Sequence, residues 1–272
     1  MEQRSFGRTG LRVPVIGMGT WRTFDVRGAD EIAHREALVP EAMAAGTRLF
    51  DSSPMYGAAE AAVGDLAFEL GVREELWIAT KVWTTGRAAG VAQMERSLQR
   101  LGGKRVDLLQ IHNLVDWQTH LTTLRDWKAA ERIRYLGITH YSAAGHDALE
   151  RVMRSEPLDF VQLNYSVAER EAERRLLPLA RENGVAVLVN RPLAQGALLS
   201  RMDGRRLPSW AAELDCTAWA QLFLKWILAH PAVTCIIPAT RRLAHLEDNM
   251  RAGVGRLPDP AMRDRIAGLL NA

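Results

Sequence analysis

Eight short, nearly continuous apolar runs recur along the chain, and this recurrence limits what it can fold into. They fall at residues 15–20, 49–52, 76–81, 106–112, 133–139, 160–164, 185–189 and 233–238. Runs without polar alternation are expected of parallel strands covered on both faces. Between them lie stretches of helical periodicity at 58–70, 89–101, 120–132, 144–155, 169–183 and 217–228, several of them stopped by glycine (Gly71, Gly102, Gly184) or by Pro231 shortly after. The first helix is expected only from about Pro40 to Gly46, because proline tolerates a first turn and disrupts an interior. Eight strand-then-helix units in 272 residues, with no Pro/Gly/Ser-rich linker, predict an α/β fold: one closed (β/α)8 TIM barrel, a single domain over residues 1–272. Residues 4–13, with a turn at Arg8-Thr9-Gly10, are expected to form an N-terminal β-hairpin plugging the barrel bottom. An open doubly wound sheet is disfavoured, because Gly17-Met18-Gly19-Thr20-Trp21 lacks the Gly-x-Gly-x-x-Gly that opens a helix in dinucleotide-binding sheets.

The charge balance excludes several classes of partner. Net charge is +3, from 35 basic and 32 acidic residues, and like charges occur as pairs (Arg205 and Arg206, Arg241 and Arg242), not as runs. A nucleic-acid arm is therefore not expected. No run of 18 apolar residues is present, so no membrane span is expected, and residues 1–12 carry no apolar signal segment. Cys216 and Cys235 have no metal-ligand spacing and fit a reducing compartment. The expectation is a cytoplasmic monomer or weak homo-oligomer without a metal.

In such a barrel the chemistry sits at the C-terminal ends of the strands. There the apolar runs close on polar residues: Asp51 with Tyr56 five residues on, then Lys81, His112, Thr139-His140 and Gln162-Leu163-Asn164. Taken singly, each has an ordinary explanation as a cap, a surface lysine, a core histidine or a packed ring. Together at one mouth they do not. A lysine held there needs an anion, and Asp51 on the next strand supplies it. Reducing a carbonyl by hydride leaves an alkoxide that needs a proton. A phenol, ordinarily near pKa ~10, is too weak an acid until a neighbouring ammonium lowers it. The reading assigns Tyr56 as proton donor, Lys81 as its tuner, Asp51 as the lysine's partner and His112 as the group orienting the substrate oxygen. The same phenol would act as base in the reverse direction.

Asp51-Ser52-Ser53-Pro54-Met55-Tyr56-Gly57, Ala79-Thr80-Lys81-Val82 and Gln110-Ile111-His112-Asn113 together resemble the aldo-keto reductase superfamily, over essentially the whole chain. That resemblance implies a nicotinamide cofactor bound without a doubly wound sheet. It places Gln162 and Asn164, with Thr139 and His140, around the nicotinamide carboxamide, and Thr20 and Trp21 along the ring and substrate cleft. His140 stands where the family has asparagine. The seventh strand ends Asn190-Arg191-Pro192-Leu193, where the family often has an aromatic residue stacked on the nicotinamide. Tyr165 is one candidate to replace that ring, and Arg191 one to approach the pyrophosphate. Beyond the eighth strand, residues 237–249 resemble the adenosine 2′-phosphate loop and its helix. Thr240 and Arg241 are expected on the phosphate, with His245 and Asp248 nearby and Asn249 on the adenine, which favours NADPH over NADH even though Ala239 replaces a common lysine.

Trp21, Trp83 and Trp117 are expected to wall the pocket of a small-molecule carbonyl or alcohol substrate. The chain's end soon after Leu270 suggests an open pocket, and residues 205–210 a partial cover. The alternative function is a nicotinamide-binding regulatory subunit with little turnover, against which an intact Asp-Tyr-Lys-His set argues. A metal-assisted hydrolase built on Asp51 and His112 lacks further carboxylate or histidine ligands.

Overall fold

The computed structural model describes residues 1–270. A hairpin of β1 (Gln3–Ser5) and β2 (Arg12–Pro14) precedes eight parallel strands whose spatial order follows the chain. These are β3 (Met18–Gly19), β4 (Leu49–Asp51), β5 (Trp77–Val82), β6 (Val106–His112), β7 (Ile133–His140), β8 (Phe160–Asn164), β9 (Ala186–Asn190) and β10 (Cys235–Ile236). The two outermost strands meet. Gly17 N–H donates to Ile236 O over 2.8 Å, Ile236 N–H donates to Val15 O over 2.9 Å, and Ile16 and Ile236 form a parallel bridge. The sheet thus curls onto itself, and the expected barrel is the fold.

Helices cover the outside: α1 (Ala29–Ala44), α2 (Ala59–Glu69), α3 (Arg87–Arg100), α4 (Trp117–Ala129), α5 (His146–Ser155), α6 (Leu176–Glu182), the single turn α7 (Ala197–Ser200), α8 (Trp219–Leu228), α9 (Leu243–Arg251) and α10 (Pro260–Gly268). Asp259 caps α10 by accepting Met262 N–H over 2.8 Å, with Pro260 in the first turn, where its missing N–H costs nothing.

The period-2 rule explains how one strand serves two cores. On β5, Ile78 and Val82 pack outward into the helix layer, while Ala79 joins Leu49, Leu108, Phe160, Ala186 and Leu188 in a small interior cluster. That cluster fills the barrel beside Phe6 of the hairpin, whose ring lies 5.4 Å from Tyr135 and 5.7 Å from Phe160. The interior residues two positions further along these strands are Asp51, Lys81, Gln110, Gln162 and Asn190. One alternation therefore gives an apolar floor and a polar upper layer.

Three expectations are corrected. Helix α1 starts eleven residues before Pro40 and runs through it. Pro40 is exposed, while Leu38, Val39, Ala42 and Met43 hold the inner face, so the lost backbone bond falls on the solvent side, where water replaces it. The expected helix at 169–183 is broken: a 3-10 turn at Glu171–Arg174 is followed by α6, with Arg175 (φ −141°) between them. The first and last barrel strands are two residues each, shorter than the apolar runs that announced them. Residues 205–210 fold back on α8 and α10: Trp219 Nε1 donates to Arg205 O over 3.2 Å, and Arg265 lies over the Trp210 ring at 4.4 Å.

Candidate active site

Strand register brings the polar strand ends to one level. Asp51 pairs with Ala79, Lys81 with Gln110, His112 with Thr139, Thr139 with Gln162, and Asn164 with Asn190. Lys81 is fully buried, and its Nζ donates to Asp51 Oδ2 and to Ser52 O, each over 2.7 Å. The other Asp51 oxygen accepts Gln110 Nε2 and Gln162 Nε2, each over 2.9 Å. Asp51 O also accepts the Thr20 N–H and hydroxyl. A buried carboxylate is tolerated here because its charge is paired and every oxygen is bonded.

Tyr56 and His112 close over this pair. Lys81 Nζ lies 5.0 Å from the Tyr56 ring centre, and the Tyr56 ring meets His112 edge-on at 6.3 Å. The electrostatics correct one expectation. Burial, the largest cause, raises the Tyr56 pKa above its ordinary value; the Lys81 ammonium pulls it down and Asp51 pushes it up, and the net direction is upward. The phenol therefore stays protonated. Burial would lower the Lys81 pKa, but Asp51 and Tyr56 together raise it, so the ammonium stays charged. Burial, Lys81 and His140 bring His112 down to about 3, leaving a neutral imidazole.

The comparisons with known proteins identify the family. A family model described as the aldo/keto reductase family matches residues 15–266. The chain belongs to the aldo/keto reductase family. Aldo-keto reductase YhdN of Bacillus subtilis (strain 168) is 32% identical over 74% of this chain, an alignment spanning 65% of that protein, so just under two thirds of its length is matched. L-glyceraldehyde 3-phosphate reductase of Escherichia coli (strain K12) is 27% identical over 93% of this chain and 87% of that protein. Among solved structures, the thermostable aldo-keto reductase Tm1743 with the inhibitor epalrestat superposes with a TM-score of 0.83, at 26% identity over 99% of this chain and 100% of that one. An aldo/keto reductase from Klebsiella pneumoniae with NADP and acetate gives 0.83 at 26% identity over 98% and 96%. The protein is thus an oxidoreductase enzyme.

Around this reductase's four central residues, the others sit as follows. Thr139 Oγ donates to Gln162 Oε1, which also accepts Asn190 Nδ2, each over 3.3 Å. Asn164 Oδ1 bonds His146 Nε2 at 2.9 Å, while Asn164 Nδ2 and Asn190 Oδ1 are buried without partners. His140 stacks on Tyr141 at 5.4 Å and accepts Ser142 N–H at Nδ1 over 3.2 Å. It fits because position 145 is glycine: a Cβ there would lie 2.2 Å from the imidazole Cγ. Arg191 Nη1 donates to Tyr141 O over 3.1 Å, its Nε is buried without a partner, and Pro192 and Leu193 follow it. Trp83 is partly exposed, 6.4 Å from the His112 ring, and Trp21 lies under the Arg22 guanidinium. Trp117 opens α4 and packs on the hydrophobic core.

Beyond β10, Thr240 Oγ accepts Arg242 N–H over 3.1 Å, and Arg241 and His245 are exposed around the start of α9. Asn249 is buried, and Asp248 is tied to α8 by Gln221 Nε2 at 2.7 Å. Tyr165 is unavailable for stacking on a nicotinamide. It is fully buried against Trp226, with its hydroxyl donating to Glu173. Three contributors were not read from the sequence: Gln110, Ser53 and Asn190. Gln110 was readable, because it lies two residues before His112 and so shares its face. Among the described residues, no three His, Cys, Asp or Glu side chains gather where a metal would sit.

Proposed function

We propose that this enzyme reduces aldehydes or ketones to alcohols, or runs the reverse reaction, with Tyr56 as general acid/base and NADPH as cofactor. One observation carries the reading: a buried Lys81–Asp51 pair beside a half-buried phenol and a neutral imidazole at a barrel mouth. A charge pair is expensive to bury and is retained where it tunes chemistry. The orphaned polar atoms at the ends of β8 and β9 (Asn164 Nδ2, Asn190 Oδ1, Arg191 Nε) offer donors and an acceptor suited to a carboxamide and to an anion. They support a nicotinamide dinucleotide held by Thr139, His140, Gln162, Asn164 and Arg191.

When bound, the reduced nicotinamide supplies the hydride. This chain's own residues do the rest. His112 donates a hydrogen bond to the carbonyl oxygen and orients it, and Tyr56 gives that oxygen its proton. Lys81 stabilises the phenolate left behind, and Asp51 holds the ammonium in place. Thr240, Arg241 and the start of α9 form the 2′-phosphate site that favours NADPH. Trp21 and Trp83 supply an apolar wall for the substrate.

The test is NADPH oxidation with 4-nitrobenzaldehyde, alongside dinucleotide binding by calorimetry. Tyr56→Phe is expected to bind NADPH as the wild type does and to lose turnover by at least about 100-fold, the scale of a lost general acid. Equal and negligible turnover in both proteins, with tight binding retained, would instead make the chain a cofactor-binding regulatory partner.

A further inference from the structure

Ser53 belongs to no expected role, yet it touches both groups that act on the substrate oxygen. Its carbonyl accepts Tyr56 N–H over 3.0 Å, and its hydroxyl oxygen lies 3.5 Å from His112 Nδ1. The residue is fully buried. We propose that Ser53 is a positioning residue that fixes His112 as the tautomer carrying its proton on Nε2, the nitrogen facing away from Ser53 and able to donate to a carbonyl.

The argument is a count of donors and acceptors. Ser53 Oγ already accepts Met55 N–H over 3.3 Å. Its own proton must go somewhere, and among the described residues His112 Nδ1 is the only acceptor within reach of it. If Nδ1 carried the proton instead, the oxygen would accept twice and the buried hydroxyl proton would have no partner. An unpaired buried donor costs roughly 1–3 kcal/mol, enough to set a tautomer equilibrium. The rest of the pocket keeps the ring in place: Tyr56 meets it edge-on, and Trp83 leans on it at 6.4 Å. The ring cannot escape the choice by taking a second proton at working pH, since burial and Lys81 keep it neutral. The chain's own pattern gives the spacing. Asp51 ends β4, and Ser53 and Tyr56 follow on the loop leaving it, so one short segment carries the lysine's partner, the imidazole's partner and the phenol.

This proposal rests on the catalytic reading of His112, but it is tested without turnover. Nitrogen-15 spectra of the histidine rings in the dinucleotide-free protein distinguish a protonated nitrogen from a bare one, and His112→Asn identifies the resonances. The wild type is expected to show Nδ1 bare and Nε2 protonated. In Ser53→Ala the His112 signals should shift toward a mixture of tautomers. With 4-nitrobenzaldehyde, kcat should fall by roughly two- to tenfold, the NADPH dissociation constant staying within about twofold, as expected for loss of one neutral hydrogen bond. A wild-type spectrum with the proton on Nδ1 would overturn the proposal. So would His112 resonances unchanged in a folded Ser53→Ala protein. A correct tautomer in an inactive wild type would leave this inference standing and remove the reductase reading instead.

Discussion

Gln110 and Gln162 donate to the same oxygen of Asp51, each over 2.9 Å, from strands two apart in the barrel. On the proposed reading Gln162 also holds the nicotinamide carboxamide, so dinucleotide binding would draw its amide away from Asp51. Gln110 would then keep that carboxylate oxygen bonded. Gln110→Leu should therefore weaken NADPH binding about fivefold, the worth of one neutral hydrogen bond of about 1 kcal/mol. Fluorescence titration of the wild type and variant measures it; equal dissociation constants would contradict the competition.

The Lys81–Asp51 pair separates stability from chemistry. Lys81→Met leaves a buried carboxylate without its cation. Truncating one partner of a buried pair typically costs roughly 3–5 kcal/mol. Two glutamine amides still bond Asp51, so a loss of about 2–3 kcal/mol is expected, with turnover down at least about 100-fold. Adding Asp51→Leu should restore most of the stability and none of the activity. Chemical denaturation and initial rates on the same preparations check both halves.

His112 gives a pH signature with a definite sign. Its pKa falls from an ordinary 6.5 to about 3 in the folded chain. Between those values the unfolded chain binds a proton that the folded one refuses, so the stability is complete above pH 6.5 and is lost as pH falls toward 3. His112→Asn should show a shallower loss of melting temperature than the wild type from pH 6.5 to 4. The same neutrality means that kcat should have no limb near 6.5 that disappears in His112→Asn.

Helix α2 lies against α3 at Gly64, where a Cβ would stand 2.0 Å from the Arg100 carbonyl oxygen. A backbone oxygen cannot swing aside, so the helices must part. Gly64→Ala should cost about 2–3 kcal/mol and lower the melting temperature by roughly 4–10 °C. The turnover of the folded fraction should be unchanged, because the contact is in the outer layer. Calorimetry with rates normalised to folded protein tests this.

The sequence was most informative where one strand had to satisfy two faces. The runs at 106–112 and 160–164 coincide with β6 and β8, since central strands in the sheet need apolar residues throughout. Helix α1 was misjudged because proline was weighed without knowing which face it occupied; on the solvent side its penalty is small. The helix before β9 was read as one because helical periodicity alone does not reveal a break set by Arg175's backbone. In the site, Asp51, Lys81 and His112 stood out as charged or titratable residues closing apolar runs. Gln110 lay inside such a run, and only the face it shares with His112 two residues on could have singled it out. Ser53 looked like any loop serine, because its partner is 59 residues away. The acidity of Tyr56 was misread for a different reason: sequence shows which charges are near, but not how strongly burial opposes them.

The join between the first and last barrel strands also has a consequence. It rests on two-residue strands and a few backbone bonds, so it is the zip along which the barrel would part first. Thr20 stands on one flank and Thr240 on the other, and a dinucleotide reaching from ring cleft to phosphate loop would lie across both. Cofactor binding should then act as a clasp, slowing amide exchange at Gly17, Gly19 and Ile236 more than at the central strands β6 and β7.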